Sequence, residues 1–381
     1  MLDKMIVSRR RLLIFPFAAS LPISMPAFAS EGFTVTDIAG REVHFDRRPQ
    51  RFIVANYILN FLLIGGEQSV AKIVGMTQDG WERLRHGEYQ VLTDGIPALK
   101  SIPSIGGYHD NVLNAEKIIA LKPDVILMNT SQYADNSARI AVWEKAGIKT
   151  VVLDYHAMKI ENHLKSTEII GRLLGCEAEA KALTDRYRTA TATVKARLAE
   201  IPESEKHRRV YVECASKGVG LLGNSYNKDV LWGGILRELE AGNIAADMPR
   251  PWGALDREFI LARNPQTIVL AGSLWDNGHE GDSLTMGLTV KPETAQARLR
   301  GFMNRPHWDR LDAVKTGNVF AVDHGGLRSI LDYVFTLALV QALYPAYFKD
   351  VDPDGEYRRV LESRLPSVKA DGTFFLQAKK D

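Results

Sequence analysis

One uninterrupted helical pattern occupies the middle of the chain at Glu177–Ile201, with the sequence EAEAKALTDRYRTATATVKARLAEI. Its apolar side chains recur in steps of three and four residues, which places them on one face of a helix. Gly175 and Pro202 bound the run, and neither residue type interrupts it. At 1.5 Å per residue such a helix is about 38 Å long, roughly the width of a domain. This length predicts a connecting helix between two lobes.

Strands and helices alternate on both sides of the connecting helix. Before it the pattern predicts a hairpin at Phe33–Asp46, strands at Arg51–Asn56, Ala71–Met76, Asp124–Asn129 and Thr150–Tyr155, and helices at Tyr57–Gly66, Gly80–Ile96, Asn114–Leu121, Asn136–Gly147 and Lys159–Leu174. After it the pattern predicts strands at Arg209–Ala215, Thr267–Ser273 and Asn318–Asp323, and helices at Asp229–Leu239, Arg257–Arg263, Glu293–Phe302, Leu327–Phe348 and Gly355–Arg364. Strands separated by helices indicate an α/β fold. We predict two lobes, each with a mainly parallel central sheet flanked by helices, joined by one long rigid helix.

The length of 381 residues exceeds what one hydrophobic core usually serves. We therefore divide the chain into a signal peptide (1–29), an N-terminal lobe (30–175), the connecting helix (176–202) and a C-terminal lobe (203–381). The signal peptide prediction rests on a basic start, an apolar run and the small-x-small sequence Ala27-Phe28-Ala29. Ser8–Leu13 also fits a twin-arginine signal, and the choice between the twin-arginine and Sec routes stays open. These features predict export to a Gram-negative periplasm.

The net charge argues against a nucleic-acid partner, and the cysteine positions argue against a lipid anchor and a disulfide. Removal of residues 1–29 takes four basic and one acidic residue from totals of 48 and 46, so the net charge falls to about −1. No basic surface for nucleic acid is implied. No cysteine follows the cleavage site closely, so no lipid anchor is expected. Cys176 and Cys214 lie on different predicted elements, and buried free thiols are favoured over a disulfide.

Candidate ligand contacts follow the predicted strands, because open parallel sheets bind ligands beyond the carboxyl ends of their strands. The candidates are Tyr57, Tyr108, His109, Tyr133, Tyr226, Trp252, Trp275, His324 and Arg328. His156, after the strand at Thr150–Tyr155, is a further histidine of this kind. Each of these side chains could instead serve a lobe core or a loop cap. If the two lobes face each other, the candidates would share one cleft that is rich in aromatic rings.

Motifs of common enzymes are absent from the sequence. Neither Gly-x-Ser-x-Gly, His-Glu-x-x-His, a Walker loop nor Cys-x-x-Cys occurs, and the histidines show no helical pair at metal-ligand spacing. We therefore predict a binding protein with no catalytic residues. A metal-cluster enzyme is disfavoured, because two cysteines on different elements cannot hold a cluster.

Four stretches resemble the periplasmic iron-complex and vitamin B12 type of solute-binding protein, the class with a helical backbone that serves ABC importers. They are Thr36–Arg51 (TDIAGREVHFDRRPQR), Asn114–Met128 (NAEKIIALKPDVILM), Trp252–Ala271 (WGALDREFILARNPQTIVLA) and His324–Asp352. The second is the most specific match, to an N-x-E-x-[IL]-x-x-L-x-P-D signature. In the first, Phe52 departs from the family pattern by separating Arg51 from Ile53-Val54.

This resemblance implies two α/β lobes bridged by one helix, a monomer that closes only modestly on its ligand, and delivery to a permease with its ATPase. It implies no resident cofactor, since a metal would arrive within the cargo. Acidic residues on each lobe dock onto the permease in this family, and Asp135 and Glu240 align loosely with them. Asp135 replaces the usual glutamate.

The identity of the cargo stays open among ferric siderophores, haem, cobalamin, nickel or cobalt chelates and a molybdate- or tungstate-type oxyanion. Aromatic walls with an arginine suit an anionic ferric chelate, so a ferric siderophore is the leading hypothesis. Tyr108 with His109 could ligate iron directly. A sensor that presents its ligand to a receptor would have the same sequence features.

Overall fold

The computed structural model describes residues 32–107, 111–275 and 282–379. The predicted signal peptide therefore lies outside the described residues, as do Tyr108 and His109. Within the described ranges, no helix combines the length and the apolar character needed to cross a bilayer.

The N-terminal half forms a parallel four-stranded sheet with an antiparallel hairpin beside it. The hairpin strands are β1 (Phe33–Thr36) and β2 (Glu42–Phe45). The sheet strands are β3 (Phe52–Val54), β4 (Ile73–Met76), β5 (Val125–Asn129) and β6 (Lys149–Leu153), in the order β4-β3-β5-β6. The helices are α1 (Ile58–Gly65), α2 (Trp81–Leu84), α3 (His86–Gly95), α4 (Ala115–Leu121), α5 (Thr130–Asp135), α6 (Ser137–Lys145) and α7 (Ile160–Leu174). Every strand of this sheet is fully or almost fully buried, as expected for a sheet with helices on both faces.

The connecting helix, α8 (Glu177–Glu200), has the predicted extent to within one residue. Leu183, Tyr187, Val194 and Leu198 are buried along it, so the predicted apolar face is the packed face. The helix packs against α7 before it and against a helix of the C-terminal half after it. This confirms a two-lobed α/β chain whose lobes are joined by one long helix.

The C-terminal half forms a five-stranded sheet in the order β13-β12-β11-β7-β9, parallel except for β13. The strands are β7 (Arg209–Cys214), β8 (Ser225–Tyr226), β9 (Gly242–Asn243), β10 (Trp252–Gly253), β11 (Thr267–Gly272), β12 (Val319–Asp323) and β13 (Phe375–Gln377); β8 and β10 pair separately. The helices are α9 (Leu231–Glu238), α10 (Arg257–Arg263), α11 (Pro292–Met303), α12 (Asp312–Thr316), α13 (Tyr333–Leu343), α14 (Pro345–Phe348) and α15 (Pro353–Arg364). The boundaries given above for the lobes stay a prediction.

The predicted helix Leu327–Phe348 is wrong at both ends. Arg328 adopts a left-handed backbone with φ 68°, which no α-helix tolerates, and α13 begins only at Tyr333. At the other end Tyr344 precedes Pro345, whose ring disfavours helical backbone at the residue before it, so α14 is separate. The residues between β12 and α13 are therefore a loop, which we call the Arg328 loop (324–332).

One of the hydrophobic clusters among the described residues extends through both lobes. A single contiguous cluster of buried apolar side chains includes Val54 and Leu127 of the first sheet, Tyr187 of α8, and Val212 and Val322 of the second sheet. The C-terminal segment also returns to the first lobe. The guanidinium of Arg364 donates to the carbonyls of Leu63 and Ile64 at 2.7 and 2.8 Å, and Ser367 binds the carboxylate of Glu67. Relative movement of the lobes is restricted by both features.

Candidate functional site

His324 lies at the centre of an aromatic group in the second lobe. It follows β12, and its ring centroid lies 6.3 Å from that of Tyr226 in a stacked arrangement and 6.1 Å from that of Trp275. The indole N–H of Trp232 on α9 donates to its Nδ1 at 3.0 Å. The structure thus brings together three of the predicted ligand residues, Tyr226, Trp275 and His324. Trp232 also belongs to this group, although the sequence did not indicate it.

The imidazole of His324 is neutral. Burial lowers its pKa well below the ordinary range, and the charges of Arg328 and Arg85 lower it further. Because Nδ1 accepts the Trp232 hydrogen bond, the single ring proton resides on Nε2. His324 therefore offers a hydrogen-bond donor without a positive charge, and the cation of this region is an arginine.

Tyr57 carries the corresponding aromatic ring of the first lobe. It lies directly before α1 with φ 63°, a left-handed conformation that is rare and strained for an aromatic residue. Its hydroxyl accepts the Tyr155 N–H at 3.2 Å and lies 2.6 Å from Nδ1 of His156. Tyr57 and His156 thus form a hydrogen-bonded pair at the carboxyl edge of the first sheet, where ligands bind in such folds.

The positive charge of Arg328 affects tyrosines of both lobes. Burial raises the pKa of Tyr57 and Tyr226 well above the ordinary range, and the positive charge of Arg328 opposes this rise at both phenols. Tyr57 belongs to the first lobe and Tyr226 to the second, so Arg328 lies near aromatic residues of both lobes.

Trp252 is the most exposed of the described candidates. Trp252 is the first residue of β10 and pairs in register with Tyr226 of β8. The residue is 54% exposed. Tyr226, in contrast, is buried. An exposed tryptophan next to a buried tyrosine gives the second lobe an accessible aromatic surface. Apolar rings of this size are well suited to cover the organic part of a ligand.

Tyr133 lies in a different place. It packs at the edge of a separate cluster that contains Ile126 and Trp143, and the guanidinium of Arg41 lies over its ring at 4.4 Å from the centroid. The contacts of Tyr133 among the described residues do not include the group around His324. Its role in ligand binding remains a prediction that these contacts do not support.

The two predicted docking carboxylates lie at different edges of their sheets. Asp135 ends α5, which begins at the carboxyl edge of the first sheet, and it accepts a hydrogen bond from Asn111 at 2.8 Å. Glu240 forms an ion pair with Lys206 at 2.9 Å, beside the amino end of β7. Both side chains are exposed. A docking role for either remains a prediction.

A buried ion pair shapes the loop between β7 and β8. Arg305 contacts both carboxylate oxygens of Glu213 at 2.6 and 3.0 Å, and it also donates to the carbonyls of Gly218, Val219 and Leu221. Both side chains are buried. This network holds the loop that leads from β7 to Tyr226. Sequence analysis missed it, because the two residues lie 92 positions apart.

Metal-ligating and thiol chemistry receive no support from the described parts of the chain. Within them, no group of three His, Cys, Asp or Glu side chains is close enough to hold a metal ion. Cys176 and Cys214 are free thiols; Cys214 is buried as predicted, but Cys176 is only half-buried, and burial raises the pKa of both. The chemistry that the site offers is therefore recognition, with aromatic rings, one guanidinium and a neutral donor.

Comparison with known proteins agrees with this arrangement. Residues 65–324, more than half of the chain, match the family described as periplasmic binding protein. The chain belongs to this family. It is therefore a periplasmic binding protein of the ABC transporter class and not an enzyme, and the resemblance seen in the sequence is confirmed.

Relatives cover most of this periplasmic binding protein. An uncharacterized ABC transporter substrate-binding lipoprotein of Bacillus subtilis, YvrC, is 24% identical over 83% of this chain and 87% of its own length. The crystal structure of the TroA-like periplasmic binding protein FepB from Veillonella parvula is 29% identical, with a TM-score of 0.84 over 91% of this chain and 99% of that one. A vitamin B12-binding protein of Salmonella choleraesuis is 26% identical, but over only 42% of this chain and 56% of its own. The family name and the lipoprotein relative indicate an extracytoplasmic protein.

Proposed function

We propose that this protein captures an anionic metal chelate, a ferric siderophore, in the cleft between its lobes and carries it through a Gram-negative periplasm to an ABC permease. The observation that supports this cargo is the position of Arg328, which lies in the loop after β12, near Tyr57 of one lobe and Tyr226 of the other, with its backbone carbonyl bound by Asn60 of the first lobe. A guanidinium pairs with the negative charge of a chelate, and the rings pack against its organic shell. The predicted signal peptide directs export, by the twin-arginine or the Sec route.

Direct binding distinguishes the candidate cargoes. Purified protein is titrated with a ferric tris-catecholate chelate, a ferric hydroxamate chelate, haemin, cyanocobalamin, a nickel chelate and molybdate, and tryptophan fluorescence is recorded. Trp275 lies in the aromatic group around His324 and Trp252 pairs with Tyr226 of that group, so we expect the anionic ferric chelate to quench their emission. Quenching by a different compound alone would replace the cargo, whereas no response to any of them would contradict a metal-complex importer.

Replacement of Arg328 by alanine is expected to weaken binding of the anionic ferric chelate by more than about tenfold, since a hydrogen bond to a charged group contributes roughly 1.5–3 kcal/mol. Arg328→Gln retains hydrogen-bonding capacity without charge and should lose nearly as much affinity. The measurement is the dissociation constant from fluorescence titration. Arg310→Ala, at an exposed arginine of the same lobe, is the matched control and should bind as wild type. Wild-type affinity in Arg328→Ala would remove this residue from the site.

Release is proposed to require that the lobes part. Gly87 of α3 packs onto Leu274 of the second lobe, and a Cβ built on Gly87 lies 3.3 Å from the Cβ of Leu274. Disulfides place their Cβ atoms about 3.8 Å apart, so Gly87→Cys with Leu274→Cys should cross-link the lobes. We expect the oxidised variant to release bound ferric tris-catecholate at least about tenfold more slowly than the reduced variant.

Two controls accompany this cross-link. The reduced double variant carries both substitutions without the bond, and Leu274→Cys alone cannot form it. The readout is the rate at which fluorescence recovers when excess competing chelator is added. Equal rates for the oxidised and reduced forms would show that cargo leaves without separation of the lobes at this contact.

A further inference from the structure

The loop that presents Arg328 belongs to the second lobe but is held by the first. Asn60 lies on α1, and its side chain is 1% exposed. Its Nδ2 donates to the carbonyl of Arg328 at 3.1 Å, and its Oδ1 accepts the N–H of Ile330 at 2.8 Å. One buried amide thus satisfies two backbone groups on either side of Ser329. Buried backbone groups that lose such partners are costly, so the contact constrains the loop.

The loop needs this external support because its own conformation is unfavourable. Arg328 has φ 68°, a left-handed backbone that a residue with a long side chain rarely adopts. Inside the loop, the Ser329 hydroxyl donates to the carbonyl of Gly326 at 3.2 Å and accepts the Leu331 N–H at 3.1 Å. These local bonds leave the Arg328 carbonyl and the Ile330 N–H to Asn60. The backbone that aims the guanidinium is therefore completed by the opposite lobe.

A second first-lobe residue contacts the same loop. The guanidinium of Arg85, which lies between α2 and α3, donates to the carbonyl of Gly325 at 3.0 Å. The first lobe thus touches the loop at Gly325 and again at Arg328 and Ile330. Separation of the lobes would break both contacts at once, whereas the bonds within the loop would remain.

We propose that Asn60 is a positioning residue that makes the anion-binding geometry of Arg328 depend on contact between the lobes. This proposal rests on the proposed function, because it assigns Arg328 to the cargo. With the lobes in contact, Asn60 keeps the strained turn in place and the guanidinium is preorganised for an anion. When the lobes part, the turn loses two hydrogen bonds, and affinity falls at the moment of delivery.

The test begins with a measurement that needs no cargo. Asn60→Leu keeps the size of the side chain and removes both hydrogen bonds. Hydrogen–deuterium exchange followed by mass spectrometry or NMR should show the Ile330 amide exchanging at least about tenfold faster than in wild type. Thr77→Val is the matched control, because Thr77 is a buried first-lobe residue whose hydroxyl donates within its own lobe to the carbonyl of Ala55. It should leave Ile330 exchange unchanged. Unchanged exchange in Asn60→Leu would overturn the proposal.

The second measurement asks whether Asn60 acts through Arg328. Affinity for the ferric tris-catecholate chelate is measured in wild type, Asn60→Leu, Arg328→Ala and the double variant. We expect Asn60→Leu to weaken binding about tenfold when Arg328 is present and to have no further effect when it is absent. A general structural defect would instead reduce affinity equally in both backgrounds, and that result would overturn the proposal.

A failure of the proposed function and a failure of the positioning role of Asn60 would give different results. If Arg328→Ala binds the chelate as wild type does, or if wild type does not bind it, the proposed function fails at this residue or for this cargo. The exchange of Ile330 then still decides whether the first lobe holds the loop. If Arg328→Ala loses affinity and Asn60→Leu does not, the proposed function stands and the positioning role of Asn60 is wrong.

Discussion

Replacement of His163 by leucine is expected to lower the free energy of unfolding by about 3–5 kcal/mol, because it leaves a buried charge without its partner. His163 lies on α7 and Asp332 directly before α13, and both side chains are fully buried. Nδ1 of His163 lies 3.2 Å from a carboxylate oxygen of Asp332, and its Nε2 lies 2.8 Å from the carbonyl of Ala157. Both ring nitrogens thus lie near oxygen atoms, an arrangement that favours the protonated imidazole.

This pair joins three parts of the molecule. His163 belongs to the first lobe and Asp332 to the second, and the hydroxyl of Tyr187 on the connecting helix faces the same carboxylate. A buried pair is weak evidence for net stability, but loss of one partner is strongly unfavourable. Chemical denaturation of His163→Leu should therefore show a midpoint well below that of wild type.

A second substitution separates charge from packing. In His163→Leu with Asp332→Asn the buried carboxylate becomes a neutral amide of the same shape, so we expect most of the lost stability to return. His44→Leu, at a solvent-exposed histidine of β2, should change stability by less than about 0.5 kcal/mol. If the double variant were no more stable than His163→Leu, the cost would come from packing and not from an unpaired charge.

The pair also predicts the sign of a pH effect. Burial lowers the pKa of His163. The negative charge of Asp332, the short contact between the Asp332 carboxylate and the imidazole, and the Ala157 carbonyl together outweigh burial, so the pKa of His163 is raised overall. Nearby groups that face His163 include Tyr155, Tyr187 and Asp154. Because the pKa of His163 is higher in the folded than in the unfolded state, protonation of His163 stabilises the folded protein. This contribution is fully present below about pH 6.5, the unfolded-state pKa, and is lost as the pH rises through the folded-state pKa. The advantage of wild type over the double variant should accordingly shrink from pH 6 to pH 9.

Replacement of Arg305 by methionine is expected to have a similarly large effect, a loss of about 3–5 kcal/mol. The carboxylate of Glu213 would remain buried, and among the described residues only the Tyr211 hydroxyl at 2.8 Å and the Gly223 N–H at 2.7 Å would donate to it. Three backbone carbonyls of the β7–β8 loop would lose their donor as well. The measurement is again chemical denaturation, with hydrogen exchange of residues 216–224 as a local readout.

The control for Arg305 lies five residues away. Arg310 is an exposed arginine of the same region, and Arg310→Met should alter stability by less than about 0.5 kcal/mol. Addition of Glu213→Gln to Arg305→Met removes the orphaned charge and should recover part of the loss. Stability within 1 kcal/mol of wild type in Arg305→Met would mean that water or another cation replaces the guanidinium.

Local sequence patterns were sufficient for the architecture. The connecting helix was predicted to within one residue, because 24 consecutive helical residues with a periodic apolar face leave no other structure. The strands of the first sheet and β7, β11 and β12 of the second sheet followed from apolar runs between turn residues, whereas β9 of the second sheet was not predicted. β13 was not predicted either, because it is a strand of only three residues, two of them half-buried, that pairs with β12 from far along the chain, so its local sequence carries no comparable signal.

Part of the candidate site was also predicted from local sequence patterns. Tyr57, Tyr226, Trp275, His324 and Arg328 follow strands, and parallel strands bring such positions to one edge. Asn60, Trp232 and Arg85 lie within or beside helices, where nothing in the local sequence separates them from ordinary core residues. Their partners are more than 90 positions away, and only the folded chain brings them together. The left-handed turn at Arg328 depends on the same distant contact, so the sequence predicted a helix there.

The continuous core has a consequence for how the protein folds. Because one cluster of apolar side chains extends through both sheets and the connecting helix, neither half can complete its interior alone. Heat or denaturant should therefore melt the chain as one cooperative unit, with a single calorimetric transition despite its size. A gene fragment that encodes only one half would yield a chain with an unfinished interior, prone to aggregation. The two lobes are thus expected to unfold as one thermodynamic domain.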